Sequence, residues 1–206
     1  MLVELPTRAY EAVRALFQPF DYSLSLRALL EGRSPGCIFV DDIAQPQLAF
    51  ALTVEGYLLA GEPDRPGAIA AVRDFLRDQI FSGRLSVNVD EWMCLAVHPE
   101  GWEALLPELV PTHPAEKVLR YHYLCRAVKY DWRQHLPQGY ALRPLDRGIL
   151  SKTEATVAPD VAGFLSLEAT WGTLDNFLAN GLGCCAVYAG QVVGWCFSVC
   201  ATQDEV

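Results

Sequence analysis

Along this chain the spacing of apolar residues switches repeatedly between a helical and a strand period, an interleaving that excludes an all-helical or an all-β fold. Near the N-terminus Ala9, Val13, Leu16 and Phe17 fall on one face of a helix that Thr7 can cap. A second helix, Ser23 to Glu31, turns Leu26, Leu29 and Leu30 inward and stops at Gly32. The period then shortens. Cys37-Ile38-Phe39-Val40 is a strand ending in Asp41-Asp42, and Leu48 to Val54 and Tyr57 to Ala60 follow about a turn at Glu55-Gly56. Asp64-Arg65-Pro66 opens a helix carrying Ile69, Val72, Leu76 and Ile80. Trp92 to Val97 reads as a strand, and Pro99 starts a helix that gathers Trp102, Leu105, Leu106 and Leu109. Val118 to Val128 reads as a long strand, so the predicted class is α+β.

The stretch from Lys129 to Pro137 has no clear period and ends in Pro-Gln-Gly, which sets a boundary between a domain over 1–130 and a second over 131–206. After it come a strand, Tyr140 to Leu145, and a helix from about Pro159 with Val161, Phe164, Leu165 and Glu168 on its path. Thr173 can cap a further helix that Gly181 ends. Cys184 to Tyr188 and Gln191 to Ala201 are two apolar runs joined at Ala189-Gly190, the pattern of a β-hairpin.

Composition narrows the function. With 51% apolar and 20% charged residues in 206, the chain can bury a large core. The net charge is −9 and the 16 basic residues are scattered, which argues against nucleic-acid binding. No apolar run approaches the roughly 18 residues of a membrane span, and Met1 to Pro6 lacks the basic start of a signal peptide. A cytoplasmic location and no membrane partner are expected. The seven cysteines form no C-x-x-C pair and have apolar flanks, so they read as small buried residues of a reducing compartment. No metal site is expected: Asp41-Asp42 lacks a third ligand at useful spacing, and carboxylates capping a turn account for it better.

Several stretches together carry a family resemblance. Leu136-Pro137-Gln138-Gly139-Tyr140-Ala141-Leu142-Arg143-Pro144-Leu145-Asp146, the helix pair after it, and the hairpin Ala186-Val187-Tyr188-Ala189-Gly190-Gln191-Val192-Val193-Gly194-Trp195 resemble the opening of a GCN5-related N-acetyltransferase (GNAT) domain. The hairpin is similar to the family's third and fourth strands. Upstream, Glu31 to Asp42, Gly56 to Pro63 and Asp131-Trp132-Arg133 resemble a two-part bacterial GNAT subfamily with an α/β region in front of the acetyltransferase domain. The resemblance covers nearly the whole chain. It implies an N-terminal α/β region followed by the first half of a GNAT-type mixed sheet flanked by helices. It also implies an acetyl-CoA-dependent N-acyltransferase acting on a small-molecule or protein amine.

GNAT enzymes bind the coenzyme pyrophosphate with an [RQ]-x-x-G-x-[GA] loop opening a helix. No such motif occurs in these residues, and Gly181-Leu182-Gly183 reads as a helix end instead. The resemblance therefore implies that the acetyl-CoA loop lies outside them. It implies too that the hairpin's last strand is an open edge from Gln191 to Ala201, paired either in a homodimer or with a missing C-terminal segment. A non-catalytic GNAT-like binding or regulatory module is the rival reading.

Within the last strand Gly194, Cys196, Ser198 and Cys200 make a small face, and Val193, Trp195, Phe197 and Val199 a bulky one, with Trp195 and Phe197 expected to be buried. The small face admits either a closely packed helix or, as the resemblance implies, the acetyl-pantetheine arm, held by Phe197, Ser198 and Cys200. Amine acetylation needs a proton acceptor beside the amine. Glu168 and Ser198 are the catalytic candidates, although Glu168 also fits a solvated helix position. Trp171, Asp175 and Asn176 are the substrate-binding candidates, although an aromatic at the position of Trp171 is more often a core residue. The histidines His98, His113, His122 and His135 all lie far upstream of Cys200, so nothing in the sequence supplies it with the partner of a nucleophile.

Overall fold

The computed structural model describes residues 1–85, 93–152, 154–157 and 167–206. The protein is α+β, and the chain divides into two compact units, Met1–Leu119 and Arg120–Val206.

The first unit is built on a five-stranded sheet of β1 (Val3–Glu4), β2 (Cys37–Val40), β3 (Leu48–Thr53), β4 (Gly56–Gly61) and β5 (Leu95–His98), in that order. All neighbours are antiparallel except β4 and β5, which run parallel. Both faces are covered. Phe39, Phe50 and Leu59 face Val72 and Phe75 of α2 (Ala68–Phe75) and Trp102 of α3 (Gly101–Leu109). Ile38, Ala49 and Ala51 face Val13 and Phe17 of the N-terminal segment and Leu26 and Leu29 of α1 (Leu24–Leu30). Burial on two sides explains why β3 reads as an unbroken apolar run rather than an alternation.

Local chemistry sets the element ends. Ser23 caps α1, its hydroxyl accepting from the Leu26 N–H at 3.3 Å. Thr7 does not cap: it lies inside a 3-10 helix, Thr7–Val13, that follows the extended Pro6. The periodic stretch predicted as one helix over Ile69 to Ile80 is α2 continued by a π-helical turn, Leu76–Ile80. Asp41 and Asp42 do cap the β2–β3 connection. Asp41 Oδ1 accepts from the N–H groups of Gln47 and Leu48 at 3.0 and 2.9 Å, and Asp42 Oδ1 from those of Ala44 and Gln45 at 2.7 and 3.1 Å. Burial pushes the Asp41 carboxyl up, but the Arg65 guanidinium and the two N–H groups outweigh it and hold it below the ordinary range.

Gly61 closes β4 at φ +117, where a Cβ would lie 2.3 Å from the Gln47 carbonyl oxygen and 2.9 Å from Leu48 Cα. Its own carbonyl accepts from the Trp102 indole N–H at 2.6 Å, tying the strand end to α3.

Val118 to Val128 forms no strand. The segment carries no regular secondary structure, and Val118, Tyr121 and Tyr123 are 70%, 72% and 89% exposed. Strand preference is the fit of a side chain to a half-buried pleated surface, and among the described residues no strand pairs with this segment. Of the stretch predicted as a strand over Trp92 to Val97, Leu95 to Val97 lie in β5, Met93 and Cys94 precede it, and Trp92 itself lies outside the described residues. Among the described residues no helix is long and apolar enough to cross a membrane.

The second unit holds a four-stranded mixed sheet of β6 (Tyr140–Pro144), β7 (Thr156–Val157), β8 (Gly183–Tyr188) and β9 (Gln191–Phe197), in the order β6-β8-β9-β7. β6, β8 and β9 are antiparallel neighbours, and β7 runs parallel to β9. One face of this sheet meets α4 (Arg147–Leu150), α5 (Leu167–Trp171) and α6 (Leu174–Asn180) in a core of Leu145, Ile149, Leu167, Trp171, Phe177 and Val192, among others. The predicted helix from Pro159 is present from Leu167, and its earlier residues lie outside the described ones.

Two corrections concern β9. It ends at Phe197 rather than Ala201, and a bulge shifts its register. Val187 pairs with Val192 and Ala186 with Gly194, so Val193 is the extra residue. The shift moves Val192, not Val193, onto the face of Trp195 and Phe197. Those two rings are half-buried against the core rather than fully buried. The edge expected to be open from Gln191 onward is covered at its start: Thr156 and Val157 pair with Gln191 and Val192. At the far end Cys200 and Ala201 are buried, not exposed.

The hairpin turn sits at Ala189-Gly190, with both residues at positive φ, +48 and +78. Alanine in the left-handed region is strained, and asparagine tolerates it better. Ala189→Asn is expected to stabilise the unit by about 0.5–1 kcal/mol in a denaturant titration. An unchanged midpoint would mean that the turn is not strained at Ala189.

Candidate functional site

Four of the seven candidate residues, Trp171, Asn176, Phe197 and Ser198, gather where the α5–α6 corner meets the end of β9. Thr173 opens α6 by accepting from the Asn176 N–H at 3.1 Å, and this cap fixes how the helix leaves the corner. Asn176 then donates from Nδ2 to the Trp171 carbonyl at 2.9 Å, and its Oδ1 accepts from Asn180 Nδ2 at 2.8 Å. Trp171 is 1% exposed. Its ring meets Phe177 edge-on at 5.7 Å, and its indole N–H donates to the Ser198 carbonyl at 2.7 Å.

Ser198 follows β9 directly and closes the network. Its N–H donates to the Leu182 carbonyl at 2.8 Å, and its hydroxyl accepts from the Leu182 N–H at 3.0 Å. The Ser198 side chain thus replaces a backbone acceptor and carries the hairpin ladder one residue past the strand. Phe197, at the last position of β9, meets Phe177 edge-on at 5.9 Å and stacks on Trp195 at 4.7 Å. Gly183 admits this packing, because a Cβ there would lie 2.7 Å from Leu145 Cδ1 and 3.0 Å from Phe177 Cζ. Trp171, Asn176, Phe197 and Ser198 are therefore in one hydrogen-bonded and aromatic cluster.

The other three candidates have different surroundings. Cys200 is buried at 2% exposed. Glu168 is exposed on α5. Asp175 is exposed on α6, with its carboxylate paired to Arg147 of α4. With Asp175 81% and Arg147 64% exposed, that pair is screened and exchangeable rather than a fixed strut.

Sequence reasoning missed the cationic side of this surface. Arg143 of β6 binds Glu154 and lies 3.9 Å from Asp146, and the Glu154 hydrogen bond first among these raises its basicity. Burial pushes the Cys185 thiol up, against the opposing influence of Arg143. The Leu182–Ser198 bridge could have been found by extending the hairpin register past Gly183 and Phe197. The Trp171–Ser198 bond had no local signal.

A bulge in the chain's last strand, a mixed sheet of three antiparallel strands and one parallel strand, and a helical corner packed on the strand's end define this unit. A comparison with curated protein sequences found no significant match. Among solved structures the chain resembles a GCN5-related N-acetyltransferase-like protein from Streptococcus suis 89/1591, with 22% identity over 95% of this chain and 72% of that one and a TM-score of 0.59. That likeness is one of fold. The family model described as GNAT acetyltransferase matches residues 14–206, and the chain belongs to that family.

Proposed function

We propose that the chain acts in acetyl-CoA-dependent N-acetylation of an amine, on a small molecule or a protein. The observation that carries this reading is the state of β9. Its core face is anchored by Val192, Trp195 and Phe197, while on its other face a Cβ at Gly194 would meet nothing within 4 Å. Past Val192, no described strand pairs with its outer edge.

An antiparallel ladder directs alternate residues to alternate edges. Ser198 donates toward β8, so the amides of Phe197 and Trp195 are directed to the outer edge. Donors fixed in a strand suit the polarisation of a thioester carbonyl, because they need no reorganisation as charge develops. Acetyl-CoA would supply the activated acetyl group. The residues present would hold its acyl end with Phe197 as the wall and Ser198 at the strand terminus, and Cys200, two residues on, is buried. The described residues of the second unit do not fit its pyrophosphate. The longest helix there, α6, has seven residues, and the Asn176 N–H in its first turn is already committed to Thr173.

On the acceptor side, we assign to Glu168, exposed on α5, the role of taking a proton from the amine. The exchangeable Asp175 carboxylate suits a cationic ammonium, and Trp171 and Asn176 hold the corner rigid. The test is release of free coenzyme thiol from acetyl-CoA across a panel of amines, with the polypeptide as its gene encodes it. Amine-dependent release supports the reading. Binding of amines without release would favour a non-catalytic module, and a Glu168→Gln variant that transfers as fast as the parent would remove that residue from the proton-accepting role.

A further inference from the structure

On the face of the β6-β8-β9 sheet opposite its helices, Tyr140, Leu142 and Tyr188 are 39%, 39% and 46% exposed. On this face Cys184 of β8 and Cys196 of β9 are directly paired across the strands. Both are free thiols and both are exposed, whereas Cys185, one residue on, turns to the core and is buried. Toward the turn the next pair on the same face is Ala186 with Gly194, so no bulky side chain overhangs the two thiols from that side.

The register also fixes their spacing. Ser198 donates its N–H to the Leu182 carbonyl, and hydrogen-bonded pairs recur at every second rung, so Cys184 and Cys196 form a hydrogen-bonded pair. Such pairs have Cα atoms about 5.5 Å apart, inside the Cα range of disulfides, and Cβ atoms at the wide end of the cross-strand range, so closing the bond draws the two strands together locally and leaves it readily reduced. Partners on one rung project their Cβ atoms to the same side of the sheet.

We propose that Cys184 and Cys196 are a reversible dithiol–disulfide modification site, oxidised by a low-molecular-weight disulfide. The thiolate of one cysteine attacks the small disulfide, forming a mixed disulfide and releasing one thiol. The second cysteine, as thiolate, attacks the protein sulfur of that mixed disulfide and expels the second small thiol. Two protein thiols and one disulfide become one protein disulfide and two small thiols, and excess reduced thiol reverses the step. The bond would staple β9 to β8 one residue before Phe197. The inference stands on the register and exposure of the two thiols, independently of acetyl transfer.

The test equilibrates the folded protein with defined mixtures of reduced and oxidised glutathione, quenches with acid, blocks free thiols and digests with chymotrypsin, which separates the two cysteines at Tyr188 and Trp195. The expected result is a linked pair of peptides, lighter by two hydrogens than their sum. Its yield should be independent of protein concentration, and it should be lost on adding excess reduced glutathione. The exposed Cys125 should yield only a mixed disulfide with glutathione. Cys196→Ser should leave Cys184 as a stable mixed disulfide, and the linked-peptide result on the unaltered protein needs no variant to fold. The proposal is overturned if Cys184 and Cys196 stay fully blockable in a mixture that modifies Cys125. It is equally overturned if they remain as two separate mixed disulfides, if Cys184 links to Cys185, or if linkage rises with protein concentration.

Discussion

Trp171→Ala is expected to destabilise the second unit by about 3–5 kcal/mol, the range for removing a large aromatic from a core. The ring is 1% exposed and packs against Phe177, so its loss leaves a cavity bounded by α6 and the strands. The same change removes the donor to the Ser198 carbonyl. Trp171→Phe separates the two effects: most of the apolar volume stays while the carbonyl loses its partner, which costs about 1–3 kcal/mol. Because the chain forms two compact units, the measurement is denaturant unfolding followed with probes in each unit. The second-unit transition should shift and the first should not. A loss below about 1 kcal/mol for Trp171→Ala would contradict the packing described here.

Gly61→Ala is expected to cost the first unit about 3 kcal/mol or more, through backbone strain and a forced shift of β3 together. The glycine sits at φ +117, and the atoms a methyl would strike, the Gln47 carbonyl oxygen and Leu48 Cα, are backbone and cannot rotate away. Displacing them would also pull the Gly61 carbonyl from the Trp102 indole. Gly67→Ala is the comparison: its φ is +80 and nothing lies within 4 Å of a Cβ, so only conformational strain of about 1–2 kcal/mol is expected. Thermal unfolding of the two variants side by side checks the argument. Equal losses would mean that the close approach to β3 contributes nothing.

What was legible in the sequence was local. The Thr173 cap, the Asp41-Asp42 turn and the Ala189-Gly190 hairpin each rest on contacts within a few residues and each is present in the structure, whereas the Thr7 cap is not. The family resemblance added what pattern could not, and the GNAT assignment holds over residues 14–206. Features that depend on distant partners were lost. Val118 to Val128 has the composition of a strand, but no described strand pairs with it. The parallel pairing of β7 with β9 joins residues far apart in the chain, and two residues are too few to show a period. At the site, the helical corner was legible through Thr173, whereas the Trp171–Ser198 bond spans 27 residues and has no sequence signature.

The bulge at Val193 also bears on how relatives of this chain are to be aligned. Counting outward from the Ala189-Gly190 turn, every residue beyond Val193 has the facing opposite to that of an uninterrupted strand. A relative whose hairpin runs without the bulge must lack one position there. In an alignment made by counting, its core residues would then stand opposite Gly194 and Cys196, and a solvent-facing residue opposite Trp195. Equivalence across this hairpin is set by side of the sheet rather than by residue number, and a one-residue gap at Val193 restores it.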